Sequence, residues 1–211
     1  SEGYPGRKWL ISLLVTFWGI RLVIYLSWRN WGAGEDPRYV GMRNKSGDRF
    51  WIVSLFKVFL LQAIFMFVIS MVIQMGQIPP IPKTLTWLDV TGSILWGIGF
   101  FFESVGDYQL ARFKGNPANK DRVMNRGLWA YTRHPNYFGE CLVWWGIFFV
   151  TLATPSSGWT VISPIIITTV LVKMTGIPLT EKSILDRRPA YKSYIQNTSA
   201  FFPWFPKKNV K

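Results

Sequence analysis

The residues best equipped for chemistry crowd into one short stretch of this 211-residue chain. Gly127–Glu140 reads Gly-Leu-Trp-Ala-Tyr-Thr-Arg-His-Pro-Asn-Tyr-Phe-Gly-Glu. Pro135 fits the first turn of a helix, where its missing N–H costs no hydrogen bond. His134-Pro135-Asn136 therefore predicts a helix entry. Free N–H groups at such an entry attract anions. Arg133 and His134 sit beside it, and Arg126 lies seven residues before Arg133. Together they could form a pocket for a phosphate or a carboxylate. Asn136 and Glu140 are four apart and share one helix face. Glu140 falls about one turn into an apolar run, where an ionisable group is expensive and functional by default. The bland alternative is a helix cap with a snorkelling carboxylate.

A second constellation is Glu103 and Asp107, again four apart on one face, with Arg112 and Lys114 following within two turns. Acids just inside a membrane with bases just outside suit a polar ligand: the acids could hold ribose hydroxyls and the bases phosphates. Ion pairing within the chain is the competing reading. A third lies in the tail, where Thr180–Ile195 reads as helical with a break at Pro189. There Lys182, Arg187, Arg188 and Lys192 would face lipid headgroups or a ligand. Phe201–Pro206 then returns as an interfacial aromatic segment. Gly97-Ile98-Gly99 lacks the third glycine of a dinucleotide fingerprint and reads as helix-packing glycines.

The elements that must position these residues are membrane spans. From Cys141 to Val172 there are 32 residues without a charge, roughly 48 Å as helix against a hydrocarbon core of about 30 Å. Five spans are expected, near 9–28, 51–75, 87–106, 136–153 and 159–179, in a single all-α transmembrane domain covering 1–211. The cytosolic tail, 180–211, would carry an interfacial amphipathic helix. The last two spans are divided by the turn-forming Thr154–Gly158, and Trp or Tyr sits near several span ends. Gly76–Pro82 reads as a stiff Pro-rich connector.

Composition narrows the function. The chain is 49% hydrophobic and 17% aromatic, which excludes a low-hydrophobicity disordered protein. Cys141 has no partner cysteine for a disulfide within the chain, and Cys141 with His134 cannot make four zinc ligands. The net charge of +13 first points to nucleic acid. The charge-free runs instead place that charge at a membrane surface, and no nucleic-acid partner is expected. The segments Arg29–Phe50, Asp107–Pro135 and Lys173–Lys211 hold 19 of the 24 basic residues. They alternate with basic-poor connections, so the positive-inside rule puts all three in the cytosol, with Ser1 on the far side and Lys211 cytosolic. The chain starts at Ser1 rather than Met, so further sequence, including helices, is expected upstream. A bacterial inner membrane and an endoplasmic-reticulum membrane fit equally well.

The run Gly127-Leu128-Trp129…Arg133-His134-Pro135-Asn136-Tyr137-Phe138-Gly139-Glu140 resembles the signature of the steroid 5-alpha-reductase C-terminal-like family of membrane reductases. The tail, from Pro178 through Glu181, Arg187-Arg188-Pro189, Tyr191 and Tyr194 to Pro203-Trp204, is similar too. The likeness covers about Phe17 to Pro206. It implies an all-helical membrane enzyme that binds NADPH at its cytosolic side and passes hydride to an activated double bond of a hydrophobic lipid or steroid-like substrate. By that resemblance Glu103, Asp107 and Lys114 hold the cofactor, with Arg112 nearby. Tyr131, Asn136 and Glu140 form a second contact group, to which Arg133 and His134 add the helix entry. Lys173 and Glu181 fall near a third. Steroid-reducing members use a Tyr–Glu pair on the substrate carbonyl. Here the Tyr position is Trp18, which cannot serve as that acid. Glu140 and Tyr137 stand as the catalytic candidates, with Tyr25 and Tyr39 as other possible proton donors.

Two other readings compete. Isoprenylcysteine carboxyl methyltransferases share the Arg-His-Pro core, which would make S-adenosylmethionine the cofactor. A non-catalytic lipid-binding membrane protein is the third. The Asn136…Glu140 spacing and the Glu103…Asp107 pair favour the reductase.

Overall fold

A computed structural model describes residues 3–32 and 34–207, and every regular element among them is helical. The termini Ser1 and Lys211, used above to state the topology, lie outside the described residues. α1 (Pro5–Asn30) is followed by the short polar α2 (Pro37–Ser46). α3 (Phe50–Ser54) continues through π-helical Leu55–Leu60 into α4 (Leu61–Met75). α5 (Trp87–Gly115) and α6 (Pro135–Leu152) come next. α7 (Ile162–Thr169) runs through π-helical Val170–Met174 towards α8 (Ile177–Leu185) and α9 (Tyr191–Asn197).

Four helical stretches are long and apolar enough to cross a membrane: Pro5–Asn30, Tyr39–Met75, Trp87–Gly115 and Gly158–Leu185. The 18-residue α6 runs among them as the fifth crossing. Large apolar side chains such as Trp9, Phe17, Phe59 and Phe67 project outward, each at least 60% exposed. Outward apolar faces of this extent suit lipid and not water. The molecule is thus compatible with a multi-pass membrane protein.

Two spans are not uniform α-helix. Near 51–75 and 159–179 the turns widen to π-helix at Leu55–Leu60 and Val170–Met174. Hydrophobic patterning carries no signal for this, because it reports which face is apolar and not how tightly the turn is wound. The expected tail helix is two helices, α8 and α9, parted around Pro189. Pro cannot donate in a helix interior and disfavours helical backbone in the residue before it.

α5 and α6 are antiparallel and lie unusually close. A Cβ on Gly99 would meet the Gly139 carbonyl oxygen at 2.6 Å, and one on Gly92 would meet that of Gly146 at 2.5 Å. In lipid, helices gain little from hydrophobic burial and associate through close packing, so small residues mark the interface. Gly97 is no part of it: nothing lies within 4 Å of its Cβ position. α6 also forms the centre of the core. Val143, Ile147, Trp144 and Phe148 pack with Ile69 and Val72 of α4.

The end of the bundle away from the basic loops is pinned by a buried pair. Arg7 of α1 donates from Nε and a terminal nitrogen to the two oxygens of Asp89, at 2.8 and 2.9 Å, with both side chains 1% exposed. Arg7 also reaches the Thr84 carbonyl at 3.1 Å, and Asp89 completes a capping box with Thr86. The Pro-rich connector is therefore tied to α1.

Candidate functional site

The ends of α1 and α5, the start of α6, and α8 and α9 meet at the basic end of the molecule. Between them lies a cavity of about 490 Å³, within the range usual for small-molecule sites. Tyr25 and Arg29 come from the last turns of α1, and Lys114 from the end of α5. Asn136 and Tyr137 come from the first turn of α6, and Arg187, Arg188, Tyr191 and Tyr194 from α8, α9 and their connection. Lys120 and Asp121 of the α5–α6 connection complete the mouth. Six cationic side chains, Arg29, Lys114, Lys120, Arg133, Arg187 and Arg188, face this space with one acid, Asp121. Arg29, Arg187 and Arg188 lie near enough to Lys114 to repel its charge. Burial pushes the phenols of Tyr191 and Tyr194 well above the ordinary value of 10.0, so both remain neutral donors.

The predicted helix entry is where the sequence placed it: Pro135 opens α6. Its anion, however, comes from the chain itself. Arg133 holds Glu181 of α8 through Nε at 2.7 Å and a second nitrogen at 3.2 Å. Nε2 of His134 lies 3.0 Å from the same carboxylate. Arg133 also donates to the carbonyls of Ile195 and Thr198. Its remaining surface and that of His134 still line the cavity, but their polar atoms bind the tail to the α6 entry. The His134 ring stacks on Tyr137 at 5.2 Å, and the Tyr137 hydroxyl lies 3.1 Å from that of Thr180. The last described segment reinforces the join. The Arg133 N–H donates to Ser199, and the Trp204 N–H to Tyr131, both at 2.9 Å.

Glu103 and Asp107 do lie together on α5, but Arg21 of α1 spans them. It donates to Asp107 at 2.9 Å and pairs closely with Glu103. Trp18 Nε1 donates to the other Glu103 oxygen at 2.9 Å. Asn136 Nδ2 in turn donates to Asp107 at 3.3 Å. Asp107 therefore stands behind the cavity wall, supporting Asn136. The Asn136 Oδ1 atom is buried and accepts from no donor among the described residues. Glu140 lies one turn deeper, within charge–charge range of Arg21 and Asp107, and no described residue hydrogen-bonds its carboxylate.

Of the residues singled out in the sequence, Lys114, Arg133, His134, Asn136 and Tyr137 line the cavity. Asp107 and Glu181 back them, and Glu103 and Glu140 lie deeper. Arg112, Tyr131 and Lys173 are exposed and outside the lining. Among the possible proton donors, Tyr25 lines the cavity and Tyr39 does not. Arg126 belongs to a second, more polar depression of about 670 Å³, which shares Phe113, Asp121, Val123 and Tyr194 with the first. Arg29 and Lys120 were not anticipated. The available signal was their place in the basic segments Arg29–Phe50 and Asp107–Pro135.

A family model described as "Protein of unknown function (DUF1295)" matches residues 1–198. An uncharacterized protein of Schizosaccharomyces pombe (strain 972 / ATCC 24843) is 26% identical over 223 residues, covering 93% of this chain. The chain spans 63% of that relative's length. No solved structure matches significantly.

Proposed function

The chain belongs to this DUF1295 family of proteins of unknown function, and on that premise we propose that it is a membrane-embedded NADPH-dependent reductase. Its substrate would be a hydrophobic lipid or steroid-like molecule with an activated C=C bond. The observation that carries this reading is the charge of the cavity: Arg29, Lys114, Lys120, Arg187 and Arg188 line it against one acid, Asp121, besides Arg133, whose charge Glu181 already meets. A ligand with several phosphates suits such a wall. S-adenosylmethionine, whose sulfonium is itself positive, suits it poorly, so the methyltransferase reading ranks second.

The residues present fit the nucleotide in a further respect. Asn136 Oδ1 and the Glu140 carboxylate are acceptors one turn apart with no described donor. A buried acceptor without a partner, as Asn136 Oδ1 is among the described residues, costs about 1–3 kcal/mol, and a ligand carboxamide N–H₂ would relieve that cost. Lys114, Lys120, Arg187 and Arg188 would hold the phosphates. The side chains of Tyr25, Trp129 and Tyr191 offer flat surfaces to rings. When bound, the nicotinamide supplies a hydride for one carbon of the double bond. The other carbon takes a proton, and Tyr137, which lines the cavity, is the group of this chain proposed to supply it. By the positive-inside rule this end faces the cytosol.

The test is consumption of NADPH, followed by its absorbance, when purified protein in detergent is given lipid enones, with saturated product identified by mass. Product formed with NADPH supports the proposal. NADPH consumption that is the same with and without the enones, with no saturated product, would sink it.

A further inference from the structure

A residue outside the cavity lining is joined to the cavity wall through the acids of α5. Arg21 sits on α1, is 15% exposed, and donates to Asp107 Oδ2 at 2.9 Å while closing on Glu103. The other Asp107 oxygen, Oδ1, accepts from Asn136 Nδ2 at 3.3 Å. An ionised carboxylate can only accept hydrogen bonds. Asp107 therefore dictates which end of the Asn136 amide turns towards it. The N–H₂ is held inward and Oδ1 is left as the free, buried acceptor.

We propose that Arg21 is a positioning residue for the cavity, acting through Asp107 to set the Asn136 amide as an acceptor towards the ligand. The guanidinium suits this task because its planar fork can address two carboxylates at once, which a lysine ammonium does not do in the same geometry. The relay crosses three helices, α1, α5 and α6. The seating of α1 is thereby coupled to the polarity of the site. It follows that a donor on the ligand, such as a primary amide, is preferred at Asn136 over an acceptor. This inference rests on the nucleotide reading of the cavity only for the choice of NADPH as the probe.

Arg21→Ala strands two buried carboxylates and is expected to fold poorly, so Arg21→Lys is the informative variant: it keeps the charge and loses the fork. Wild type, Arg21→Lys, Asn136→Ala and the double variant are compared for NADPH affinity and for ligand-free thermal unfolding. Arg21→Lys is expected to weaken NADPH binding about tenfold, and the double variant to bind no more weakly than Asn136→Ala alone. A merely structural role for Arg21 gives losses that multiply, or a lysine variant equal to wild type, and either result overturns the proposal. In the ligand-free measurement the two substitutions are expected to be non-additive, and additivity overturns it as well. If wild type binds no NADPH while the ligand-free coupling is present, the reductase reading falls and the relay stands.

Discussion

On the proposed reading Asn136 and Glu140 hold the ligand carboxamide, because both offer acceptors that no described donor satisfies. Asn136→Ala removes one of them without opening a large void and should weaken NADPH binding about tenfold, the scale of one well-placed hydrogen bond. Equilibrium titration of the nucleotide checks this, and unchanged affinity would place the carboxamide elsewhere. The cations make a different kind of contribution. Arg188 donates to the carbonyls of Lys120 and Arg122 and has no carboxylate partner among the described residues, so its charge is available to a phosphate. Lys114→Ala and Arg188→Ala should each lower NADPH affinity several-fold, more at low than at high salt, whereas Arg112→Ala, outside the cavity, should not. Equal effects of all three would mean that the phosphates lie along the exposed flank of α5. The sequence exposed these residue types but not their partners. Arg133 and His134 looked like an anion site, and the anion turned out to be Glu181, 48 residues away from Arg133. No local pattern encodes a pairing of that range.

At the scale of elements, the α5–α6 seam holds the site together. Glu103 and Asp107 on one helix and Asn136 on the other can meet only because Gly99 and Gly139 let the backbones touch. Gly139→Val would drive a side chain into the Glu103 N–H and the Gly99 carbonyl, both 2.5 Å from the Cβ position. It should destabilise the fold by about 1–3 kcal/mol or more, the range for overpacking. Gly97→Ala, with open space around it, should be neutral or mildly stabilising. Thermal unfolding in one detergent separates the two, and similar losses would show that the seam is not where the stability lies. At the opposite end, Asp89→Ala leaves Arg7 buried at 1% exposure without its counter-charge. A loss of about 3–5 kcal/mol is expected, read as a lowered melting temperature, and a near-neutral result would mean that Arg7 finds water there. Gly99 as a packing glycine and the α6 start at Pro135 were visible in the sequence, whereas Gly97 was read as packing and is not, and Gly139 and Gly92 went unread. The Arg7–Asp89 clasp was not, since a charge near a span end ordinarily reads as an interfacial residue.

The whole molecule is a set of apolar crossings with nearly all its useful chemistry at one end. That much follows from the sequence, because charge-free runs can only be spans and the basic segments alternate with basic-poor ones. The division of the tail into α8 and α9 was legible too, at Pro189; the π-helical turns and the role of Arg21 in tying α1 to α5 depend on packing between distant segments, which a periodic pattern does not report. The consequence for function is a cationic cavity backed by unpaired acceptors at the ends of the spans. Its claim to NADPH is best tested by thermal stability of the detergent-purified protein with NADPH, NADH, S-adenosylmethionine or buffer, since a ligand that binds only the folded state raises the melting temperature. The melting temperature should rise with NADPH, less with NADH, and not with S-adenosylmethionine. A rise with S-adenosylmethionine alone, or with none of the three, would contradict the assignment of this cavity to a phosphorylated dinucleotide.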